Sequence, residues 1–179
     1  MDIFFPDDEY QTLLTFCPES VELEYLYELI RQAQLEVAKH EVELLHVLPI
    51  NDPSEVKKIR GILINEQSYA PAAIVISVKS YLNPEGKERP VSWYAETDLR
   101  RALLVEVEAQ GLGVYYRPVY PNLHIIEQLR VALNNPSEFL PMACIFLGWP
   151  DQTQAGSLQK FESKVKRDKD SADQWSAGL

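Results

Sequence analysis

Apolar positions recur along this chain with two periods, and the switches between them mark its elements. Leu23, Leu26, Ile30, Ala33 and Val37 fall at helical spacing, with Glu24, Glu28, Arg31 and Gln32 on the opposite face. A helix is therefore predicted from about Ser20, which is placed to cap it, while Glu22 and Glu24 put negative charge where the helix dipole favours it. Val42 to Ile50 then reads as a strand around Leu44, Leu45, Val47 and Leu48. Asp52-Pro53-Ser54-Glu55 is a helix start, because Asp52 can cap, Pro53 suits the first helical position and Glu55 completes a capping-box pattern. Val56, Ile59 and Leu63 supply the buried face of that helix.

Ala72 to Val78 is apolar on both alternations, the pattern of a central strand covered on both faces. Tyr81 to Val91, with its prolines, glycine and charges, reads as a loop. A second long helix is predicted over about Tyr94 to Gln110, with Leu99, Ala102, Leu103 and Val107 inward and Gly111 as its left-handed terminator. An aromatic stretch from Gly111 to Tyr120 follows. Asn122 then caps a helix carrying Leu123, Ile126, Leu129 and Leu133, and Met142 to Gly148 is another fully apolar strand. Helices alternating with buried strands predict an α+β chain: a three-layer α/β/α sandwich with a mixed central sheet and helices on both faces. Residues 1–150 are expected to form one domain, and the charged residues 151–179 a C-terminal arm.

Composition narrows the function. The chain has 179 residues, 46% of them apolar, and a formal net charge of −10, which argues against nucleic acid and acidic membranes as partners. No apolar run reaches the length of a membrane span, and the acidic start lacks the basic charge of a signal peptide, so the cytoplasm is the expected location. Cys17 and Cys144 are too few for a disulfide framework or a zinc motif. His40, Glu43 and His46 lack metal-site spacing, so no metal is expected. No nucleophile elbow surrounds Ser20, Ser77 or Ser92, and Glu96 and Asp98 fall where a helix start attracts carboxylates. No acid–base or nucleophilic residue is therefore nominated as catalytic.

The order of elements resembles the flavin-dependent nitroreductase family. The likeness is clearest in a helix ending at Gly111-Leu112-Gly113, an aromatic strand, a helix with Leu129-Arg130-Val131-Ala132-Leu133, and Pro141 to Leu147 closed by Gly148-Trp149-Pro150. Asn65 ahead of Ala70-Pro71, and a basic cluster before Trp175, add to it. The resemblance implies a homodimer with FMN at the subunit interface. FMN would be reduced by NAD(P)H and would pass a hydride to a small acceptor such as a nitroaromatic or quinone. The protein then supplies position and electrostatics more than reacting groups.

Position by position, the resemblance places the FMN phosphate near Gln11 and Thr12, where Thr12 keeps a hydroxyl but the family's two basic side chains are absent. His40 stands where the family has a flavin-contacting asparagine, and Val42 where it has a glutamine. Asn65 matches an asparagine at the flavin's pyrimidine edge, and Pro118-Val119 matches the backbone whose N–H faces flavin N5. Lys164, Lys166 and Arg167 are placed to supply positive charge to the phosphate. The losses leave an alternative, a flavin-free or weakly flavin-binding descendant of the same fold with a binding or regulatory role.

Overall fold

The computed structural model describes residues 16–64 and 69–151. Its elements in chain order are α1 (Leu23–Leu35), α2 (Lys39–Val42), β1 (Leu45–Ile50), α3 (Pro53–Leu63), β2 (Ala72–Leu82), β3 (Glu88–Pro90), α4 (Trp93–Ala109), β4 (Gly113–Pro118), α5 (Leu123–Leu133) and β5 (Phe139–Gly148). The strands form one sheet in the order β1-β2-β5-β4, with β3 hydrogen-bonded to the far end of β2.

The three layers follow from the alternation of β2. Ala72, Ile74 and Ile76 point to one face, where they meet Leu26 and Ile30 of α1 and Leu99, Leu103 and Val107 of α4. Ala73 and Val75 point to the other, against Val56 and Ile59 of α3 and Ile126 and Leu129 of α5. β2 and β5 are the central strands, as their unbroken apolar runs require. Near the end of β5, Phe16 bridges to Pro150. Gly148 leaves no room for a side chain, since an added Cβ would come within 2.5 Å of Pro71 Cγ.

The sheet is not mixed. Every pairing among the described residues is antiparallel. The alternation of helix with strand is blind to the sheet end at which the chain re-enters. β1 leaves at Ile50 and β2 enters beside it, with Ile50 opposite Ala73, so α3 loops out and back to the same end. α5 does the same between Pro118 of β4, opposite Ala143, and the start of β5.

Local signals held where a specific side chain set the backbone. Asp52 Oδ1 accepts from the N–H groups of Ser54 and Glu55, both at 3.0 Å, and Pro53 opens α3. Asn122 accepts from Ile125 N–H at 3.2 Å, and Gly111 has φ +80°. Three expectations are corrected. α1 begins at Leu23 with Glu22 at its N-cap and no side-chain cap, so Ser20 does not cap it. Residues 39–42 form a short helix, and the strand starts only at Leu45. The loop expected over Tyr81 to Val91 is a hairpin, in which Asn83 Oδ1 accepts from the N–H groups of Glu85 and Lys87 and Gly86 turns the chain at φ +75°. The C-terminal arm lies outside the described residues, apart from Asp151.

Candidate functional site

The turn from β4 into α5 is built by a bulge in β5. Ile76 faces Ala143 and Ser77 faces Pro141, so Met142 is the extra residue on β5. Its carbonyl is taken by the chain leaving β4: Val119 N–H donates to Met142 O at 2.9 Å and Tyr120 N–H at 3.2 Å. Val119 is buried in the core beneath α3 and α5, and Pro118 is exposed. The Val119 N–H that the resemblance aims at flavin N5 therefore closes the end of the sheet here. A donor already held at 2.9 Å inside the protein has no second hydrogen to offer.

Around this turn lies an aromatic cluster that the sequence pattern did not single out. Arg89 of β3 donates through Nη1 to Tyr120 Oη at 2.9 Å, and the Trp93 ring meets the Tyr120 ring edge-on at 5.0 Å. Trp93 and Tyr94 at the start of α4 remain largely exposed, as do Tyr81, Leu82 and Val91 on the neighbouring hairpin. His40 joins this region only indirectly. Its imidazole is exposed, with Nε2 3.4 Å from Glu41 Oε1, and Glu41 Oε2 accepts from Ser92 Oγ at 2.8 Å. Ser92 in turn caps α4 by accepting from Ala95 N–H, one residue before Trp93. α2, the head of α4 and the β4–α5 turn are thus tied together through Glu41, Ser92, Trp93 and Tyr120.

The electrostatics differ on the two sides of the sheet. Beneath α4, buried Glu96 accepts from Arg100 Nε at 2.8 Å, and the Arg100 guanidinium lies 4.5 Å over the Tyr116 ring. Burial outweighs Arg100 and holds the Glu96 carboxyl above its ordinary range. By α5, Glu88 forms a two-pronged pair with Arg130, at 2.6 and 2.9 Å, and accepts from Ser80 Oγ. These hydrogen bonds hold Glu88 below its ordinary value.

Arg60 of α3 is a buried cation. It is 8% exposed, its Nε is buried without a hydrogen-bond partner, and its Cζ lies 5.7 Å from the Tyr69 ring centroid. Burial pulls the guanidinium below its ordinary value, against the opposing charge of Tyr69. No ion pair to Arg60 is formed among the described residues. The last-turn dipole of α3 contributes about 0.3–1 kcal/mol, and a ring contact about 0.5–2 kcal/mol. Neither offsets the several kcal/mol that an uncompensated buried charge costs. The buried Nε–H is a donor with capacity for an acceptor.

Among the described residues, no three His, Cys, Asp or Glu side chains gather as a metal would need. An open groove of about 340 Å³ runs between Glu19, Ser20, Val21, Glu22, Tyr25 and Trp149, but its two carboxylates carry the wrong sign for a phosphate. Gln11, Thr12, Asn65, Lys164, Lys166 and Arg167 lie outside the described residues. Of the expected flavin contacts, the structure thus describes His40, Pro118 and Val119. For an FMN the fit is divided: the backbone donor at Val119 is engaged, whereas the unpartnered Arg60 Nε suits an anion.

No family model matches this chain, and no curated protein matches it. Solved structures do. A protein from Parabacteroides distasonis ATCC 8503, named for NADH dehydrogenase and NAD(P)H nitroreductase, is similar over 77% of this chain and 80% of its own, with TM-score 0.64 and 22% identity. An FMN-dependent nitroreductase from Clostridium difficile R20291 is similar over 77% and 82%, with TM-score 0.63 and 18% identity. A Clostridium acetobutylicum protein named for NADH oxidase gives 77% and 82%, TM-score 0.62 and 21% identity. The chain has the nitroreductase fold. The α+β class and the three-layer plan are those expected, and the wholly antiparallel pairing of the described strands replaces the mixed sheet. No helix among the described residues is long and apolar enough to cross a membrane.

Proposed function

We propose that this protein is a nitroreductase-type oxidoreductase of the cytoplasm, which binds FMN as a homodimer and passes a hydride from NAD(P)H to a small acceptor such as a nitroaromatic or quinone. The nitroreductase fold, held over 77% of the chain, carries this reading, because one similar structure is named as FMN-dependent and others are named for NAD(P)H or NADH. FMN, when bound, supplies the hydride chemistry, and the chain supplies position and charge. Asn65 would meet the pyrimidine edge, and Thr12, Lys164, Lys166 and Arg167 the phosphate. His40, beside the head of α4, would serve a flavin held against a second copy. The exposed Trp93, Tyr94, Tyr81 and Leu82 supply an apolar surface for that second copy.

One observation favours the alternative, a flavin-free descendant of the fold. With the Val119 N–H engaged by Met142, one expected contact with the ring is missing. The absorbance spectrum of the purified protein and a fluorescence-quenching titration with FMN separate the two. The oxidoreductase reading expects a yellow preparation, or quenching at micromolar FMN, together with NAD(P)H oxidation in the presence of a quinone. A colourless protein that leaves FMN fluorescence unchanged would sink it and leave the flavin-free reading standing.

A further inference from the structure

We propose that Arg60 is the cation of an oxyanion subsite, and that the phosphate group of the flavin nucleotide is the anion it takes. This rests on the flavin reading above for the identity of the anion, but not for the existence of the subsite. Arg60 is buried, its Nε–H is an unclaimed donor, and no carboxylate among the described residues pairs with it. A guanidinium keeps its charge at any physiological pH, so a buried one needs an anion or strong acceptors. Phosphate suits it, because a charge-assisted N–H···O bond to an oxyanion is among the strongest that a planar guanidinium makes.

The position agrees with the sequence. Arg60 stands beside Tyr69, whose hydroxyl donates to Pro18 O at 3.3 Å. Two residues earlier, Phe16 bridges to Pro150. Arg60 thus lies on the side of the described fold that holds Pro18, and Gln11 and Thr12 precede Phe16 in the sequence. Their segment is where the resemblance expects the phosphate and where basic charge is missing. Arg60 replaces, from α3, a charge that the N-terminal segment does not supply. The competing occupant is an acid of this same chain, for example Asp7, Asp8, Glu9 or Glu66, all outside the described residues.

Two measurements on the full-length protein decide it. The first is thermal unfolding in inorganic phosphate against chloride at equal ionic strength. Wild type should unfold at higher temperature in phosphate, Arg60→Met should lose that gain, and Arg60→Lys should keep part of it. The second is quenching titration of FMN against riboflavin, which lacks the phosphate. Wild type should prefer FMN over riboflavin, and Arg60→Met should cut that preference by roughly ten- to a hundredfold, the range of one charge-assisted bond. A wild type indifferent to phosphate overturns the subsite, since an internal acid then satisfies Arg60; this result stands even if Arg60→Met does not fold. An undiminished phosphate gain or FMN preference in Arg60→Met overturns it as well. A phosphate gain that depends on Arg60, in a protein that binds neither flavin, supports the subsite and sinks the FMN reading alone.

Discussion

Both faces of the sheet carry a buried apolar layer, but they differ in how their polar groups are satisfied. On the α1/α4 side the buried charge is Glu96, and it is paired with Arg100 at 2.8 Å. On the α3/α5 side, polar capacity is left over. Among the described residues, five buried side-chain atoms have no partner: His46 Nδ1, Arg60 Nε, Ser77 Oγ, Arg130 Nε and Asn135 Oδ1. Arg60 belongs to α3, Arg130 to α5, and Asn135 follows α5 directly. Ser77 of β2 and His46 of β1 are cross-strand partners beside the bulge in β5. Each unpartnered buried atom costs about 1–3 kcal/mol, and native interiors rarely leave many. Such a concentration on one side marks where the fold has donors and acceptors to offer a ligand or water. The closed face holds the sheet; the other face has chemistry to spare.

Cavities give the strongest test that the two faces are equally closed as apolar layers. Leu103 of α4 and Leu129 of α5 are both fully buried. Leu103→Ala and Leu129→Ala should each destabilise by about 2–5 kcal/mol, as core leucine truncations do, read from urea unfolding midpoints. A loss below about 1 kcal/mol at Leu129 would show that the α3/α5 side is not a packed layer and would remove the comparison.

The same contrast explains what could be read along the chain. Apolar runs announced β2 and β5, and Asp52, Asn122 and Gly111 announced helix ends, because in each case neighbouring residues dictate the backbone. Strand direction was not legible, since it depends on the sheet end to which α3 and α5 return the chain. The hairpin had a signal, Asn83-Pro84-Glu85-Gly86-Lys87 between two extended stretches, which the flanking charges obscured. Val119 was placed correctly in the chain but not in the hydrogen-bond ladder, where a bulge 23 residues away in sequence sets its partner (from Val119 to Met142). Arg60 also had a signal. Residues 56, 59, 60 and 63 make one helical stripe, and a charge at one of those positions is a buried charge.

Acid titration sharpens the comparison through Glu88 and Glu96, which shift in opposite directions. Glu88, bonded to Arg130, has a folded pKa below its ordinary 4.5. Its stabilisation is fully present above that ordinary value and is lost as pH falls through the folded one. Glu96, desolvated beneath α4, has a folded pKa above 4.5. The folded state binds its proton first, so stability rises as pH falls through the folded value towards the ordinary one. Urea midpoints against pH should therefore show Glu96→Gln removing a gain on mild acidification, and Glu88→Gln removing a loss on stronger acidification. Identical profiles for both variants would contradict the assignment of a desolvated carboxylate to one side and a hydrogen-bonded one to the other.

The smallest effects come from the caps, one on each side of the sheet. Asp52→Ala should cost about 1 kcal/mol, the ordinary worth of an N-cap, because Asp52 Oδ1 holds only the first turn of α3, the Ser54 hydroxyl included. Ser92 does more with a weaker cap: its Oγ accepts from Ala95 N–H at 3.3 Å and donates to Glu41 at 2.8 Å, tying α2 to the head of α4. A double-mutant cycle separates the two roles. If the tie to Glu41 matters, Ser92→Ala should cost less in a Glu41→Ala background than in wild type. If the costs are equal, Ser92 is a cap alone, and His40 and Glu41 are not held to the aromatic cluster at Trp93 and Tyr120 by any bond through Ser92. His40 would then lose its structural link to the proposed site while Arg60, on the opposite side, kept its own.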